Sequence, residues 1–459
     1  MMRKNARFKL LVSLVLGLAM GSGSFQLAAS GGEPGDFPVD PPGVGPGDGG
    51  DQSPGRIKDI EERFETSLHN TRKGKETYYS ADDGFFQLTH VPYDTLPCKD
   101  CHNKSAFPDW EEPVCLDCHL YAEDDPPDYA PPNDATCLGC HGRQNAEHNL
   151  FKDEDGEPID VHSQLEMACM DCHVEEEVHG DGTEYLSMRD PGVFKISCSD
   201  AGCHQDVLEG PGGSEPTADA DSVEEILSRR ASAFHWRHLE TVDCAACHAE
   251  SVISCDSCHF DTEVAGAGKR YYRQIPQTGF KLLLNHHGKV RTASYQSLTW
   301  GTSDLDTSGE PAGEDVEDVA FYVLAPYSTH TITEAENLRC RDCHVVVRGN
   351  NPDNLRVFGN AALKEYLSTG YMTVSQWDEE TGMLLAPQGV IPVPPDWEDA
   401  LLFDFAYYLG EPTDPVVKDP EGTTWDHLEP ETVGMHMPYG TPLTEEQMDR
   451  LQFGGGQNP

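Results

Sequence analysis

The sixteen cysteines of this chain fall into eight pairs, and a histidine directly follows the second cysteine of every pair. Seven pairs have the spacing C-x-x-C-H, whereas the fifth has C-x-x-x-x-C-H. This pattern is typical of c-type haem attachment, in which both thiols bond to the porphyrin and the histidine binds its iron. The sequence therefore predicts eight covalently bound haems, at motifs 1 to 8: Cys98/Cys101/His102, Cys115/Cys118/His119, Cys137/Cys140/His141, Cys169/Cys172/His173, Cys198/Cys203/His204, Cys244/Cys247/His248, Cys255/Cys258/His259 and Cys340/Cys343/His344.

Paired cysteines also occur in zinc sites, in redox-active C-x-x-C pairs and in structural disulfides. Zinc and thioredoxin-type sites do not require a histidine after every second cysteine, so they do not account for the regularity of the motifs. For motif 5, whose spacing is longer, a disulfide between Cys198 and Cys203 stays an alternative. His204, which completes that motif, favours haem there as well.

Residues 1–30 have the composition of a secretory signal peptide. Four basic residues flank the start of an apolar run from Leu10 to Met20, and small residues follow at Ala28, Ala29 and Ser30. The run is shorter than the ~18 apolar residues of a spanning helix, and no later stretch of the sequence reaches that length. We predict an exported protein without a membrane span, extracellular or at the outer cell surface, or else periplasmic, where oxidising conditions suit haem attachment.

The composition is strongly acidic, with 80 Asp and Glu residues against 32 Lys and Arg residues. Such a surface repels nucleic acid and anionic lipid, so neither is an expected partner. It favours basic redox proteins, cations or positively charged mineral surfaces, although solubility or adaptation to salt accounts for it equally well.

Other motifs give negative results. The sequence has neither a Gly-rich nucleotide fingerprint nor a nucleophile elbow. The acidic run from Asp153 to Gly156 resembles the start of a calcium loop, but Gln164 stands where an EF-hand has its bidentate glutamate. Binding of Ca²⁺ at acidic sites of another kind stays open.

The chain divides into four predicted segments. After the signal peptide, residues 31–55 are rich in Gly, Pro and Asp and predict a disordered linker. Residues 56–348 contain all eight motifs and form the predicted octahaem cytochrome domain. Residues 349–459 contain no cysteine and predict a small, separate, haem-free C-terminal unit of mixed α+β structure.

We expect a multihaem cytochrome fold that is mostly irregular and α-helical, with sparse secondary structure and a core of stacked haems. Only 37% of the residues are hydrophobic, so haem faces are expected to replace missing aliphatic surface. Short helical turns are predicted to carry the motifs, as at residues 242–249. Neighbouring motifs hold their haems close together, because His248 and Cys255 are at most about 25 Å apart even on an extended chain.

The second axial ligands are expected from the twelve histidines outside the motifs. An iron with ligands on both sides transfers electrons, whereas an iron with one open side binds a substrate. His235 and His238 lie on one face if helical, and they either serve two haems or hold one region. His90, His286, His427 and His436 are weaker candidates, and among methionines we consider Met437. The eight predicted ligands are His69, His148, His162, His179, His235, His238, His287 and His330.

Three stretches, residues 67–75, 234–259 and 326–333, resemble a family of secreted multihaem cytochromes from metal-reducing and sulfur-reducing bacteria. The resemblance covers residues 60–348 and implies bis-histidine haems and respiratory electron transfer. The layout of eight motifs before a haem-free end is also similar to extracellular octahaem nanowire cytochromes, in which one motif has a much longer insertion than motif 5. The resemblance favours these ligands over His90: His69, His235, His238 and His330.

Within the C-terminal unit, residues 371–377 and 383–387 flank a turn sequence and predict a β-hairpin. Thr444 to Gln447 form a capping box, which predicts a helix from Glu445 to Leu451. The stretch from Met437 to Leu451 resembles the tail of a small single-haem cytochrome, although no attachment motif precedes it. Alternatively, this unit is a removable propeptide.

Three functions compete at this point. The first is an electron conduit to redox proteins or extracellular electron acceptors, with self-association into filaments. The second is a periplasmic electron carrier or a subunit of a quinone oxidoreductase. The third is an octahaem enzyme that acts on nitrite, hydroxylamine or tetrathionate. Because all eight motifs end in histidine and further histidines are abundant, we favour an electron-transfer protein over an enzyme.

Overall fold

The computed structural model describes the chain in stretches between residues 54 and 453. These are residues 54–81, 84, 86–95, 115, 118–122, 128–130, 132–153, 156–200, 203–204, 235, 237–259, 273–277, 280–301, 318–333, 339–349, 356–374, 376–378, 383–385, 389–403, 405–408, 425–428 and 431–453. All of them belong to one compact unit, Gly45–Pro459. The predicted signal peptide, nearly all of the predicted linker and motif 1 lie outside the described residues.

The described helices are short, and none of them is long and apolar enough to cross a membrane. A single 3-10 turn is also described, at Tyr93–Thr95. In chain order the helices are α1 Pro54–Phe64, α2 Leu68–Thr71, α3 Gly74–Tyr79, α4 Phe86–Thr89, α5 Asp134–Cys140, α6 Gly142–Leu150, α7 Val161–Gln164, α8 Cys169–Cys172, α9 Glu175–His179, α10 Cys244–His248, α11 Cys340–Cys343, α12 Ala361–Thr369, α13 Trp397–Ala400 and α14 Glu445–Arg450.

The strands are concentrated in the second half of the chain. In order they are β1 Leu120–Ala122, β2 Asp128–Ala130, β3 Ile253–His259, β4 Arg273–Pro276, β5 Phe280–His286, β6 Lys289–Gly301, β7 Asp318–Pro326, β8 Val345–Arg348, β9 Arg356–Gly359, β10 Met372–Thr373, β11 Gln376–Asp378, β12 Met383–Leu385, β13 Gly389–Pro392, β14 Leu401–Leu402, β15 Phe405–Tyr408, β16 Trp425–Leu428, β17 Glu431–His436 and β18 Gln452–Phe453.

Short helical turns carry motifs 3, 4, 6 and 8, in α5, α8, α10 and α11. Side chains stabilise these turns by accepting backbone N–H groups that lack a helical partner. Asn133 accepts the N–H of Thr136 at 3.0 Å, and Asp243 accepts that of Ala245 at 3.1 Å. Motif 7 differs from the prediction of helical turns, because its residues lie in strand β3.

Motif 2 agrees with the prediction of a short helical turn, which begins at Cys115 and is closed at Cys118. The Cys118 N–H donates to the Cys115 carbonyl at 3.2 Å. The His119 N–H donates to the same carbonyl at 2.8 Å. These two bonds close the turn within the motif, so it does not need a longer helix to bring Cys115 and His119 near each other.

A seven-stranded sheet is the largest element that the structure describes. Strands β5, β6 and β7 form an antiparallel meander, in which Leu282 pairs with Ala293 and Ala293 with Pro326. Strand β3 pairs parallel to β6, and β4 pairs antiparallel to β3. This sheet differs from the sparse secondary structure expected for residues 56–348. The runs of Val, Leu, Tyr and Thr from Phe280 to Pro326 fit a pleated, buried surface better than irregular chain.

The C-terminal segment completes this sheet instead of forming a separate unit. Strand β13 pairs parallel to β5, and β17 pairs parallel to β7. Leu363 in α12 and Met448 in α14 are buried in one cluster with Leu282 and Leu324 of the sheet. The predicted boundary between residues 348 and 349 therefore does not divide the fold. Apolar side chains before and after it are buried against each other in one hydrophobic core.

Two local predictions for this segment are confirmed. Strands β11 and β12 pair antiparallel, with Trp377 opposite Leu384, and form the predicted hairpin. Thr444 caps helix α14 with the expected reciprocal bonds, since its hydroxyl accepts the Gln447 N–H at 3.2 Å and its own N–H is accepted by Gln447 Oε1 at 2.9 Å.

The part of the chain before residue 235 buries few apolar side chains. Among its described residues, the buried hydrophobic ones are Tyr79, Val91, Tyr93 and Val193. In contrast, Leu165 is 73% exposed. Apolar groups left in solvent lose the stabilisation that burial provides, at roughly 25 cal/mol per Å². The core of stacked haems expected for this region stays a prediction.

The shared core is testable by a matched pair of substitutions in α12. Leu363 is fully buried, whereas Leu367, one turn later, is 38% exposed. We expect Leu363→Ala to lower the free energy of unfolding by about 2–5 kcal/mol, because it leaves a cavity under the sheet. Leu367→Ala, the control, should stay within about 0.5 kcal/mol. Denaturant unfolding followed by circular dichroism measures both, and equal effects would contradict the shared core.

Candidate functional site

Six motif histidines each lie beside one histidine from outside the motifs. The two rings of a pair have centroids 5.9–6.3 Å apart. Apart from His235, which lies close before His248 in the sequence, the partners come from distant parts of the chain, so most of the pairing is a product of the tertiary fold. The pairs are His119 with His179 at 5.9 Å, His141 with His69 at 5.9 Å, His173 with His330 at 6.3 Å, His204 with His162 at 6.1 Å, His248 with His235 at 6.1 Å and His344 with His238 at 6.2 Å.

This spacing fits an iron atom between the two rings. Two metal–nitrogen bonds of about 2 Å each, plus two ring radii of roughly 1 Å, require centroids about 6 Å apart. Rings in direct contact approach more closely, as His286 and His287 do at 4.1 Å. The donor chemistry fits as well, because neutral imidazole is a common ligand of haem iron.

The pKa values of several paired histidines are shifted towards the neutral form. Burial, and next the adjacent His141, lower the pKa of His69 to about 4. Desolvation also lowers the pKa of His179, His235 and His344, with the paired histidine contributing in each case. Near pH 7 these imidazoles are therefore uncharged, which leaves a nitrogen lone pair for a metal.

Capped turns position two of the histidines from outside the motifs. His69 lies in α2, where the Ser67 hydroxyl accepts the N–H of Asn70 at 3.1 Å. His162 lies in α7, where Asp160 Oδ1 accepts the N–H of His162 itself at 3.0 Å. The other oxygen of Asp160 accepts the N–H of Ile332 at 2.7 Å, which joins this turn to the loop that carries His330.

The structure assigns His235 and His238 to different motifs, one of the two options that the sequence leaves open. His235 faces His248 of motif 6, and His238 faces His344 of motif 8. Because the two residues are three positions apart, one short segment reaches both sites, and these sites must be close together.

Contacts between the motifs arrange the six pairs in a row. The thiols of Cys137 and Cys169 share a hydrogen bond, which places motif 3 beside motif 4. The thiols of Cys198 and Cys244 do the same for motifs 5 and 6. Electrostatic interactions join the remaining neighbours: Cys172 with Cys203, Cys247 with Cys343, and His69 with His179. The resulting order is motif 2, 3, 4, 5, 6 and 8.

Many of the predicted attachment cysteines are exposed to solvent. Protein side chains alone do not cover these positions, and at motif 2 both Cys118 and Cys115 are exposed. Haem attachment at Cys118 therefore stays a prediction, which the position of its neighbour His119 beside His179 supports. The exposed cysteines among the described residues are Cys115, Cys118, Cys140, Cys198, Cys203, Cys244 and Cys340.

Three arginines are close together next to this row. Arg143 lies 5.3 Å from the Tyr327 ring centroid, and its guanidinium donates to the Ser294 hydroxyl at 3.1 Å. Burial, and next the nearby Arg143 and Arg291, lower the pKa of Arg189 to about 10. In so acidic a chain, clustered guanidinium groups are suited to the propionate carboxylates of bound haem.

Other predicted site residues do not face a motif histidine in the described part of the chain. His148 is exposed in α6, and the His287 ring contacts His286. His90 lies against Phe86, and His436 against Phe321. No side chain is described for His102, His259 or His427 or for these cysteines, so the corresponding predictions lie outside the described residues: Cys98, Cys101, Cys255 and Cys258.

Cys198 and Cys203 are both free, so the alternative of a disulfide within motif 5 is not what the structure shows. In the described residues, no group of three or more His, Cys, Asp or Glu surrounds a point where a metal ion would bind. Met437 packs at the edge of the hydrophobic core. The expectation of a Ca²⁺ site stays a prediction.

Sequence reasoning missed the carboxylates beside the histidine rings. Glu177 Oε2 lies 2.7 Å from His173 Nδ1, and Glu147 Oε2 lies 3.4 Å from His330 Nδ1. The first pair is four positions apart, but its residues do not share a helical turn, since His173 lies in extended chain between α8 and α9. The second pair spans 183 positions of the chain and has no sequence signal.

Replacing a paired histidine tests these assignments. His238→Ala removes the partner that lies 6.2 Å from His344 and leaves one side of the motif 8 iron open. We expect one haem to change from low spin to high spin in the electron paramagnetic resonance (EPR) spectrum. His436→Gln is the control, because that ring packs against Phe321. An unchanged spin count in His238→Ala would contradict the pairing.

No protein-family model matches the chain, and no curated protein matches it either. The crystal structure of octahaem cytochrome c from Shewanella oneidensis is similar, with a TM-score of 0.36 and 13% sequence identity. The similarity covers 63% of this chain and 88% of that chain. Likeness at this TM-score carries no argument, so the histidine pairs remain the basis for function.

Proposed function

We propose that this protein is a multihaem c-type cytochrome that transfers electrons through a row of bis-histidine haems. One observation carries the proposal: six motif histidines each have a second histidine at the distance that an iron atom requires. Bound haem would supply one-electron chemistry at its iron. The cysteines of each motif would anchor the porphyrin, and the paired histidines would close both faces of the iron.

Closed faces favour electron transfer over catalysis. An iron with two histidines has no free position for nitrite, hydroxylamine or another small substrate. An enzyme would need one open iron, at motif 1 or motif 7 in this chain. The abundance of histidines supports two closed faces there as well, and we propose eight haems and no catalytic residue.

The order of the six pairs supports a conduit. Cysteine thiols of motifs 3 and 4 and of motifs 5 and 6 share hydrogen bonds, so the macrocycles attached there would lie side by side. The pairs at motifs 2 and 8 would end the described part of the row and would exchange electrons with partners. Most pairs receive one histidine from a distant segment, so folding and haem binding would support each other.

Location and partners extend the proposal. The signal-like residues 1–30 support export to the cell surface or beyond it, or else to the periplasm. The excess of acidic residues supports basic redox proteins or positively charged extracellular acceptors as partners. The conduit could also consist of filaments formed by self-association, as in nanowire cytochromes. Cell fractionation and electron microscopy would test for such filaments.

Low-temperature EPR of the purified oxidised protein tests whether it is a carrier. We expect low-spin signals alone, because both faces of every iron are closed. A reproducible high-spin haem that binds nitrite, hydroxylamine or cyanide would overturn the proposal in favour of an enzyme. The haem content per chain, measured in the same preparation, checks the predicted number of eight.

Removing a haem from the middle of the row tests the conduit. Cys198→Ala with Cys203→Ala removes the motif 5 attachment, between motifs 4 and 6. After flash reduction with less than one electron per chain, we expect internal redistribution to gain a slow phase, because electrons must cross a gap. Cys340→Ala with Cys343→Ala, at the end of the described row, should keep the fast phase alone. Equal kinetics in the two variants would contradict the order.

A further inference from the structure

Two buried glutamates flank the histidine pair of motif 4. Glu177 Oε2 lies 2.7 Å from Nδ1 of the motif histidine, His173, and the Glu177 side chain is 3% exposed. Glu147 Oε2 lies 3.4 Å from Nδ1 of the partner, His330, and the Glu147 side chain is fully buried. When Nε2 of each ring binds iron, Nδ1 carries the hydrogen and points it towards a carboxylate.

Both carboxylates are held in place by other donors. The second oxygen of Glu177 accepts the backbone N–H groups of Lys195 and Ile196, the latter at 3.0 Å. Glu147 accepts the Thr329 hydroxyl at 2.8 Å and the backbone N–H of His330 at 3.0 Å. These contacts keep the two acceptors against the histidines, because moving either carboxylate would break its other hydrogen bonds.

Neither carboxylate is neutralised by a basic side chain among the described salt bridges. The ammonium group of Lys195, beside Glu177, pairs with Asp181 at 2.7 Å. In contrast, Glu175 near His179 of the motif 2 pair binds Arg56 and Arg63. The charge of Glu177 and Glu147 therefore acts on the histidine pair from buried positions, while the His173 and His330 side chains are 32% and 51% exposed.

The other histidine pairs with a described acceptor at Nδ1 do not have a carboxylate beside both rings. His248 of motif 6 has the neutral carbonyl oxygen of Thr333 3.0 Å from Nδ1. His162 of the motif 5 pair has Asp160 Oδ1 at 3.4 Å, the distance that Glu147 has from His330, but no carboxylate is described beside the other ring of that pair, His204. Within the described residues, motif 4 is the site with a carboxylate beside both rings.

We propose that Glu177 and Glu147 give the motif 4 iron the lowest reduction potential of the six paired sites. The inference rests on the proposed function, since it needs haem at Cys169 and Cys172. A histidine that donates Nδ1–H to a carboxylate becomes a more basic ligand, which stabilises ferric over ferrous iron. In each electron transfer along the row, a ferrous iron loses one electron and the neighbouring ferric iron gains it. No bond forms or breaks.

This site lies third in the described row, so its potential would shape electron flow. Motifs 2 and 3 lie on one side of it, and motifs 5, 6 and 8 lie on the other. In the partly reduced protein, the motif 4 site would remain oxidised between these two groups of haems. Electrons supplied at one end of the row would then reduce the haems on that side before they pass motif 4.

A redox titration of the holoprotein tests the inference. We expect Glu177→Gln, which removes the charge and keeps the shape, to move the lowest-potential step upward. The one-electron equilibrium of that step should shift at least tenfold, or about 59 mV. Glu147→Gln should move the same step in the same direction by less, because its oxygen is farther from Nδ1. Glu176→Gln is the control, since it removes the same charge from an exposed neighbour.

The outcomes separate the inference from the proposed function. Mass spectrometry of the peptide that contains Cys169 and Cys172 shows whether haem is attached there, and its absence in the natural protein overturns the proposed function. If haem is attached but Glu177→Gln titrates like Glu176→Gln, or if a step other than the lowest moves, the inference alone is overturned. Glu147→Gln gives an independent reading if Glu177→Gln does not retain its haem.

Discussion

The spacing of two imidazole rings around an iron-sized gap is the constraint on which the described structure depends. In each of the six described pairs, the motif supplies one histidine ring. To share an iron atom, the centroid of the second ring must lie about 6 Å from the first, because the lengths of metal–nitrogen bonds vary little. The turns that present His69 and His162 are therefore capped and tied to other segments. Under the proposed function, this requirement would shape the first half of the chain, where few apolar side chains of the described residues are buried.

The two halves of the chain use different sources of stability. From residue 246 onward, a seven-stranded sheet buries aliphatic side chains on both sides of the predicted domain boundary. Before residue 235, few apolar side chains are buried and several are exposed among the described residues. Under the proposed function, haem faces would take the place of a side-chain core there, and the sheet would be a rigid support for motifs 6 and 8.

Two buried carboxylates distinguish one histidine pair of the row from the others. Charges that are exposed to solvent act weakly at a distance, because water and salt screen them. Glu147 and Glu177 are exceptions, because they are buried beside His330 and His173. Placed there, two of the many carboxylates would influence one iron far more than the rest of the surface does.

The sequence by itself determined the chemistry of the chain. The attachment motifs, their histidines and the surplus of further histidines are local patterns, and the capping box at Thr444 and the hairpin after Tyr371 are local too. Such features depend on neighbours within a few residues, so they can be read from the chain. Only the tertiary structure decided which histidine faces which motif, because those contacts join segments as far apart as those of His173 and His330, and no local pattern specifies them. The same reason explains why the predicted boundary after residue 348 does not divide the fold. Apolar surface is buried against any complementary apolar surface, however far apart the two lie in the sequence.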